Sequence, residues 1–436
     1  MSQWKKVRIG DIFAIEKGSL QSSKNTEGEY DFITAATEWK THNSYDHDCE
    51  AIVYAVAASG SLGRAHYVNG KFIASDLCFI LTEKDKNKYP VNFLFYQIVF
   101  EMLREEIVSK TKTGTSKESI NRGNFSNYEI PYFSIEFQLA NYQRFVDAKN
   151  QIQLLNEESE KQKEFLKQLR QNILQDAIEG KLTADWRKSH PVIKGNPDYD
   201  AEALFEKIQK EKASDKKQKE LPPITDEEKP FEIPEGWKWV RLGEIVDSVV
   251  YGTSSKCSYD SNQNSAILRI PNISLGYVDD SDLKYTNLSE SEKNELSLKE
   301  NDLLVIRSNG SPEIVGKMVY VPKKYENYCY AGYLIRLRFT ISSIGFYIGN
   351  ISNAKSLRNQ IEEPLRSTVG INNINSDEIK SLVFPIPPLV EQIEIIQDIL
   401  ENFKKIDQLE NQIQERETNT KQLMQSILKD LNKYNK

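Results

Sequence analysis

From Phe137 to Trp186 the chain contains no proline and a single glycine, Gly180, and its apolar positions fall in one narrow stripe. Ile152, Leu155, Leu166, Leu169 and Ile173 follow the alternating three- and four-residue spacing of a coiled-coil seam, broken by Ser159 and Gln162. Lys, Glu and Gln fill the other faces, so the pattern predicts one long helix that is stable only if its stripe meets a partner. The same spacing returns between Leu389 and Leu431 as Ile399, Phe403, Ile406, Ile413, Met424, Ile427 and Leu431, with Glu410, Glu417 and Thr420 as the polar interruption. At about 1.5 Å per residue, helices of about 45 residues are about 65–70 Å long. Antiparallel pairing would bring the two interruptions, each near the middle of its helix, into one shared polar layer that fixes register.

The chain also repeats itself. Trp4–Phe13 (WKKVRIGDIF) matches Trp237–Val246 (WKWVRLGEIV) at an offset of 233. Gly63–Val68 matches Gly316–Val321 at 253, and Ile120-Asn121 with Pro131–Gln138 match Ile374-Asn375 with Pro385–Gln392 at 254. The second copy therefore carries about 20 additional residues before Gly316. Within the copies, β-branched and aromatic runs bounded by Gly, Asn and Pro predict strands at Ala51–Ala57, Phe72–Leu81, Asp302–Arg307 and Tyr333–Phe339. Helices are predicted at Val91–Val108 and Ser342–Glu362. The fold class is α/β (α+β): two pseudo-repeated globular units joined by a long antiparallel two-helix coiled coil. The segments are 1–134 and 234–386 for the globular units, 135–188 and 387–436 for the long helices, and 189–233 for a charged, partly mobile linker with a short helix at Ala201–Lys212.

Composition narrows the function. The 39% apolar and 28% charged residues give a globular balance, and no apolar window is long enough to span a bilayer, so the expected location is the cytoplasm with no membrane partner. Cys49, Cys78, Cys257 and Cys329 are widely spaced, which predicts reduced core thiols. A net charge of −7 argues against coating nucleic acid through bulk charge but leaves local basic surfaces open.

No catalytic constellation stands out. Asn196-Pro-Asp-Tyr199 has Asp198 where the Asn-Pro-Pro-Tyr of adenine methyltransferases has a second proline, and no glycine-rich cofactor loop accompanies it. Glu179-Gly-Lys181 lacks the upstream acidic partner of a nuclease motif, and Ser59-Gly-Ser61 lacks a nucleophile elbow. His42, His47 and Cys49 have an untypical spacing for a metal and read as exposed loop residues.

Pro234–Ile245 (PEGWKWVRLGEI), Phe384–Gln392 (FPIPPLVEQ), and Ile173–Thr183 followed by Asp185-Trp186-Arg187 resemble, in order and spacing, the specificity subunits of type I restriction-modification systems. The first copy departs from the pattern, with Ile130–Gln138 (IPYFSIEFQ) lacking the double proline. The resemblance covers essentially the whole chain. It implies two target recognition domains, each reading half of a split sequence in double-stranded DNA, and helices that act as spacer and as dock for two modification subunits. It further implies that those subunits bind S-adenosylmethionine and methylate adenine, that restriction subunits join, and that ATP and Mg belong to the partners; the chain itself would carry no cofactor, no metal and no catalysis.

Within this frame the loops after predicted strands are the candidate DNA contacts. Ser59, Ser61 and Arg64 lie in the first copy, with Arg307, Asn309 and Lys317 as counterparts; Arg is the residue type that reads guanine and Asn the type that reads adenine. Lys110, Lys112, Lys117 and Arg122 form a second basic loop, with Arg366 as its apparent counterpart. The competing readings are a coiled-coil scaffold that binds protein and a fusion of specificity and methyltransferase modules.

Overall fold

The computed structural model describes residues 4–57, 60–114, 118–212, 221–365 and 372–430. Two units emerge: one of residues 1–163 with 411–436, the other of 164–410. Each contains one sequence copy and a length of both long helices.

In the first unit a six-stranded sheet runs in the order Phe13–Lys17, Cys78–Glu83, His47–Ala55, Ala65–Ala74, Tyr30–Ile33, Lys40–His42. All neighbours are antiparallel except Tyr30–Ile33 beside Ala65–Ala74. Helix Phe93–Met102 covers one face, and Tyr54, Phe95, Tyr96, Phe100, Phe125 and Phe133 build an aromatic core there. A two-stranded ribbon of Trp4–Arg8 with Glu129–Phe133 closes the unit and leads directly into the central helix Ile135–Ile178.

The second unit repeats this plan with a smaller sheet, Val246–Tyr251, Leu334–Phe339, Leu303–Ile306, Met318–Tyr320. Its closing ribbon is Lys238–Arg241 with Val383–Ile386. Ser265–Leu268 pairs antiparallel with Lys284–Thr286 and parallel with Cys329–Tyr330 in a separate three-stranded sheet, as Tyr30–Ile33 pairs with Lys40–His42 and Ala65–Ala74 in the first unit. Helix Ser342–Ile351 takes the place of Phe93–Met102.

Several sequence expectations are corrected. The run Phe72–Leu81 is two strands, because Ser75 turns the chain: its carbonyl accepts from Cys78 N and its Oγ from Leu77 N. Ser342–Glu362 is broken at Ser352, whose hydroxyl donates to main-chain oxygens of Gly349 and Met318 instead of leaving the helix to run on. Val91–Val108 begins later, where Asn92 caps the amide of Phe95, and Leu103 separates two helices. The central helix stops at Ile178, short of Trp186. Gly180 is left-handed (φ +70), and Gly180 N→Ala177 O with Lys181 N→Asp176 O closes the helix end as a Schellman motif.

The stripe on the long helices is narrower than expected. Phe145, Ile152, Ser159, Leu166 and Ile173 are buried at every seventh position, as are Gln392, Ile399, Ile406, Ile413 and Thr420. Leu155 and Leu169, expected in the seam, are exposed: between 152 and 169 only Ile152, Ser159 and Leu166 are buried. Met424, Ile427 and Leu431 lie where no side chain is described. In the second unit the helices run antiparallel, with Arg170 on Asp407 and Glu410 and, farther along, Arg187 on Glu391. The expected polar layer exists in the first unit, where Arg416 donates to Gln162 and Lys163 meets Glu417 at 2.7 Å. Ser159 and Thr420 are buried there with their hydroxyls on their own helices. Glu410 is not part of it: Arg170, 3.0 Å away, claims its carboxylate in the other unit.

The linker is more ordered than its composition suggests. Arg241, 3% exposed, donates to the carbonyls of Pro222 and Pro223 and to Glu228, tying 221–228 to the second unit. The run Asn196–Tyr199 serves the helix that follows far along the chain. The carbonyls of Pro197 and Asp198 accept from Leu389 N and Val390 N, two otherwise unpaired amides in the first turn of the C-terminal helix.

Candidate nucleic-acid interface

Both units build the same frame around their candidate loops. After strand His47–Ala55 the chain turns at Gly63 (φ +79), and after Leu303–Ile306 its counterpart turns at Gly316 (φ +74). A Cβ on Gly63 would lie 2.5 Å from Val108 Cγ2 and one on Gly316 2.7 Å from Ile361 Cδ1, so glycine is required by both backbone and space. The loops are then gripped from behind. Arg104 donates to the carbonyls of Leu62 (2.8 Å) and Gly60 (3.2 Å); Arg358 donates to those of Val315 (2.9 Å) and Glu313 (3.3 Å).

Beside each gripped loop runs a second segment. In the first unit Ala57 bridges Ser119 and Ile120 N donates to Val56 O at 2.8 Å. In the second, Ser308-Asn309 pairs with Asn372-Asn373 and Ile374 N donates to Arg307 O at 2.8 Å. Asn121 and Asn375 then cap the helices that follow, each accepting from two amides. The structure thus brings the two candidate loops of the first copy together, and in the second it sets the gripped loop beside residues 372–374.

The individual candidates differ in how free they are. Arg64 Nη1 is turned inward to Ala35 O (2.6 Å) and Ser61 Oγ (3.1 Å). Lys110 is exposed, Lys112 pairs with Glu118 at 2.7 Å, and Arg122 Nη2 donates to Ile15 O at 2.5 Å. Lys317 reaches Ser274 O at 3.2 Å, and Asn309 Oδ1 accepts from Ser311 N at 2.9 Å in an Asx turn. Arg307 lies with its guanidinium carbon 4.8 Å from the centre of the Tyr251 ring. Ser59, Lys117 and Arg366 lie outside the described residues.

Sequence reasoning missed Arg104 and Arg358, although they stand 254 residues apart, the offset of the repeat (358 − 104). It also missed Arg269, Lys284, Tyr251 and Tyr333, which come from four separate stretches: the residue after Ser265–Leu268, the start of Lys284–Thr286, the end of Val246–Tyr251 and the residue before Leu334–Phe339. His42, His47 and Cys49 are not loop residues. His42 is buried on strand Lys40–His42 against Asn25, and His47 and Cys49 begin strand His47–Ala55, with His47 held by Asp46 (2.6 Å) and Glu16 (3.4 Å). Among the described residues no group of His, Cys, Asp and Glu is arranged to hold a metal, and no helix is long and apolar enough to cross a membrane. The four cysteines are free, with Cys78 and Cys329 buried.

Comparison with known proteins meets this geometry at both copies. A family profile described as the type I restriction modification DNA specificity domain matches residues 1–164 and 234–416. The chain belongs to this family. Its two matched stretches each contain one gripped-loop frame and the start of one long helix. The specificity subunit of the type I restriction enzyme EcoKI from Escherichia coli K12 is 28% identical over 322 residues, 74% of this chain and 60% of that subunit. The EcoDI specificity subunit of E. coli is 22% identical over 98% of this chain and 87% of its own length. The chain therefore spans about three-fifths of the first relative it matches. A solved structure described under complex assembly and conformational transition of the type I R-M system shares the fold, with a TM-score of 0.59 at 15% identity over 100% of this chain and 98% of that one.

Proposed function

We propose that this chain is the DNA sequence-specificity subunit of a cytoplasmic type I restriction-modification complex, each unit reading one half of a bipartite target in double-stranded DNA. The observation that carries this reading is the duplicated frame: Gly63 and Gly316, Arg104 and Arg358, and Asn121 and Asn375 hold two paired loops in the same way at two places in one chain. A rigid frame presenting variable loops suits a reader, because phosphate contacts position a protein while base contacts specify the sequence.

The long helices would serve as spacer and dock. In the first unit Leu139, Leu154, Leu155 and Leu423 are exposed, and in the second Phe165, Leu169, Ile393, Leu400 and Leu409. Large apolar side chains left in water along helices whose seam is already filled call for apolar partners. Two modification subunits fit that need, bringing S-adenosylmethionine and adenine methylation, while restriction subunits bring ATP- and Mg-dependent steps. The subunit proposed here reads and does not catalyse.

The test is single-molecule sequencing of adenine methylation in cells expressing this chain with its neighbouring modification subunit. A methylated motif of two short halves around a fixed gap supports the reading. No new methylation from an assembled complex, together with no salt-dependent DNA affinity, would leave a protein scaffold. For a DNA reader the logarithm of affinity falls with the logarithm of salt by about 0.9 per phosphate contacted.

A further inference from the structure

The second unit contains a cleft of about 610 Å³ at the edge of its gripped loop, lined by Thr253, Ser255, Arg269, Lys284, Arg307 and Tyr333 among others. Its lining side chains include three cations and no carboxylate, on a chain whose net charge is −7. Arg269 is partly neutralised by Asp282, whose carboxylate and carbonyl oxygens lie 2.8 and 2.7 Å from Nη2. Among the described residues Lys284 and Arg307 form no salt bridge. Each lies instead over a tyrosine ring, Lys284 at 4.6 Å from Tyr259 and Arg307 at 4.8 Å from Tyr251. Tyr259 and Tyr333 are about two-thirds exposed, at 67% and 64%. Unpaired cations interleaved with exposed aromatics are the surface chemistry of nucleic-acid contact, since rings stack on bases and cations meet phosphates or guanine.

Arg307 is fixed in place. Its main chain is fixed on both sides, N donating to Tyr333 O at 3.0 Å and O accepting from Ile374 N at 2.8 Å. The ring beneath it is fixed as well, because Tyr251 OH accepts from Ser376 N at 3.0 Å. Its Nε is buried with no acceptor, and no hydrogen bond to its guanidinium is found among the described residues. A guanidinium has five donors and no acceptor, so the Nη groups of a side chain fixed in this way suit an external group with two acceptors side by side. Guanine offers O6 and N7 in that arrangement, and phosphate offers two oxygens.

The repeat decides between them. The carbonyl that receives Ile374 N belongs to Arg307, whereas in the first unit the carbonyl that receives Ile120 N belongs to Val56, a buried apolar residue. The same frame therefore carries different side chains at the same point. Phosphates are alike in both half-sites and need no such difference; different bases do. Resting on the specificity-subunit reading, we propose that Arg307 determines specificity in the second unit by donating bidentately to O6 and N7 of one guanine. Lys284, the other cation of the cleft without a salt bridge, supplies a phosphate contact that carries no sequence information.

The test uses the full chain assembled with its modification partner. The methylated motif is mapped in cells, and affinity is measured on duplexes altered in one half-site at a time, for wild type, Arg307→Met, Arg307→Lys and Lys284→Gln. The expected wild-type motif has a guanine in one half. Arg307→Met should lose at least tenfold of the discrimination for that guanine while the other half is read as before, which also shows that the variant is folded. Arg307→Lys keeps the charge without the fork and should lose most of the same discrimination, so the conclusion does not depend on Met being tolerated. Lys284→Gln should weaken all duplexes equally and lower the salt slope by about 0.9. An unchanged motif in both Arg307 variants, or equal weakening on every duplex, overturns the guanine assignment. A wild-type complex that methylates no bipartite motif fails one step earlier, at the reading on which the assignment rests.

Discussion

Glu391 offers a sharp test of how the second unit is held to its helices. Its carboxylate, on a residue only 2% exposed, accepts from Thr183 Oγ1 at 2.7 Å, Arg187 Nη1 at 2.5 Å and Trp237 Nε1 at 2.7 Å. One side chain near the start of the C-terminal helix thus joins the segment after the central helix to the residue just before the strand that opens the unit. Replacing it with alanine strands a guanidinium and an indole N–H. Removing one partner of a buried pair costs about 3–5 kcal/mol. Arg187 keeps its bonds to Thr183 Oγ1 and Gly180 O and is partly exposed, which places Glu391→Ala near the lower end, at about 3 kcal/mol. That corresponds to roughly a 150-fold rise in local opening. Hydrogen–deuterium exchange on the full chain should show the loss in peptides covering Lys238–Arg241 and the first turns after Leu389, with the first unit's strand His47–Ala55 unaffected. Glu391→Gln, which keeps an acceptor but no charge, should lose less than half as much. A change of under about 1 kcal/mol for Glu391→Ala, or an equal loss in both units, would refute the assignment of this carboxylate as the local tie.

Three further outcomes follow from the frame. Gly63→Ala and Gly316→Ala should each destabilise by about 1–3 kcal/mol in denaturant unfolding, from left-handed backbone and the close approach of Val108 or Ile361, whereas Gly195→Ala meets nothing and should cost only the backbone part. Arg104→Ala and Arg358→Ala should loosen their loops, costing about 1–3 kcal/mol of stability and weakening only the half-site read by the altered unit, as measured on half-site-altered duplexes. His47 is lowered by its burial, but Asp46 and Glu16 outweigh this and raise it above 6.5. Folding therefore favours the protonated ring: this contribution is fully present below pH 6.5 and is lost as pH rises through the raised value, a slope that His47→Gln should abolish in pH-dependent melting.

The sequence disclosed the frame better than the site. Matches at offsets of 233, 253 and 254 located both closing ribbons, the two left-handed glycines and the asparagine caps, because backbone geometry restricts such positions to few residue types. Heptad spacing located the long helices but misjudged the seam at Leu155 and Leu169, since spacing alone does not tell which of two apolar columns a partner covers. Gly180 was visible as the lone glycine in the run, yet only the paired turn hydrogen bonds show that it ends the helix. The linker misled in the opposite direction: its Lys/Glu/Asp-rich composition suggests mobility, but Pro222 and Pro223 present carbonyls to the buried Arg241. Arg269, Lys284 and Tyr251 could not be linked to Arg307 from spacing, because they stand on or beside three different strands and converge only through sheet pairings, among them the parallel pairing of Ser265–Leu268 with Cys329–Tyr330.

That division has a physical origin. What repeats between the copies is what holds the loops: a glycine that permits the turn, an arginine that grips it from a helix, an asparagine that caps the next helix. Each satisfies backbone groups, and backbone groups are the same in every chain, so the same solution serves twice. What does not repeat is what the loops present: Arg64 bound to Ala35 O in one unit, Arg307 free over Tyr251 in the other. A reader of two unlike half-sites needs both properties at once. If the loops carried their own rigidity, each change of target would require a new fold; with rigidity placed in Arg104 and Arg358 behind them, a change of one presented side chain alters recognition at a cost confined to the surface. The residues that determine specificity are therefore to be sought where the two units share a main-chain hydrogen bond and disagree in side chain, and Arg307 against Val56 is such a point.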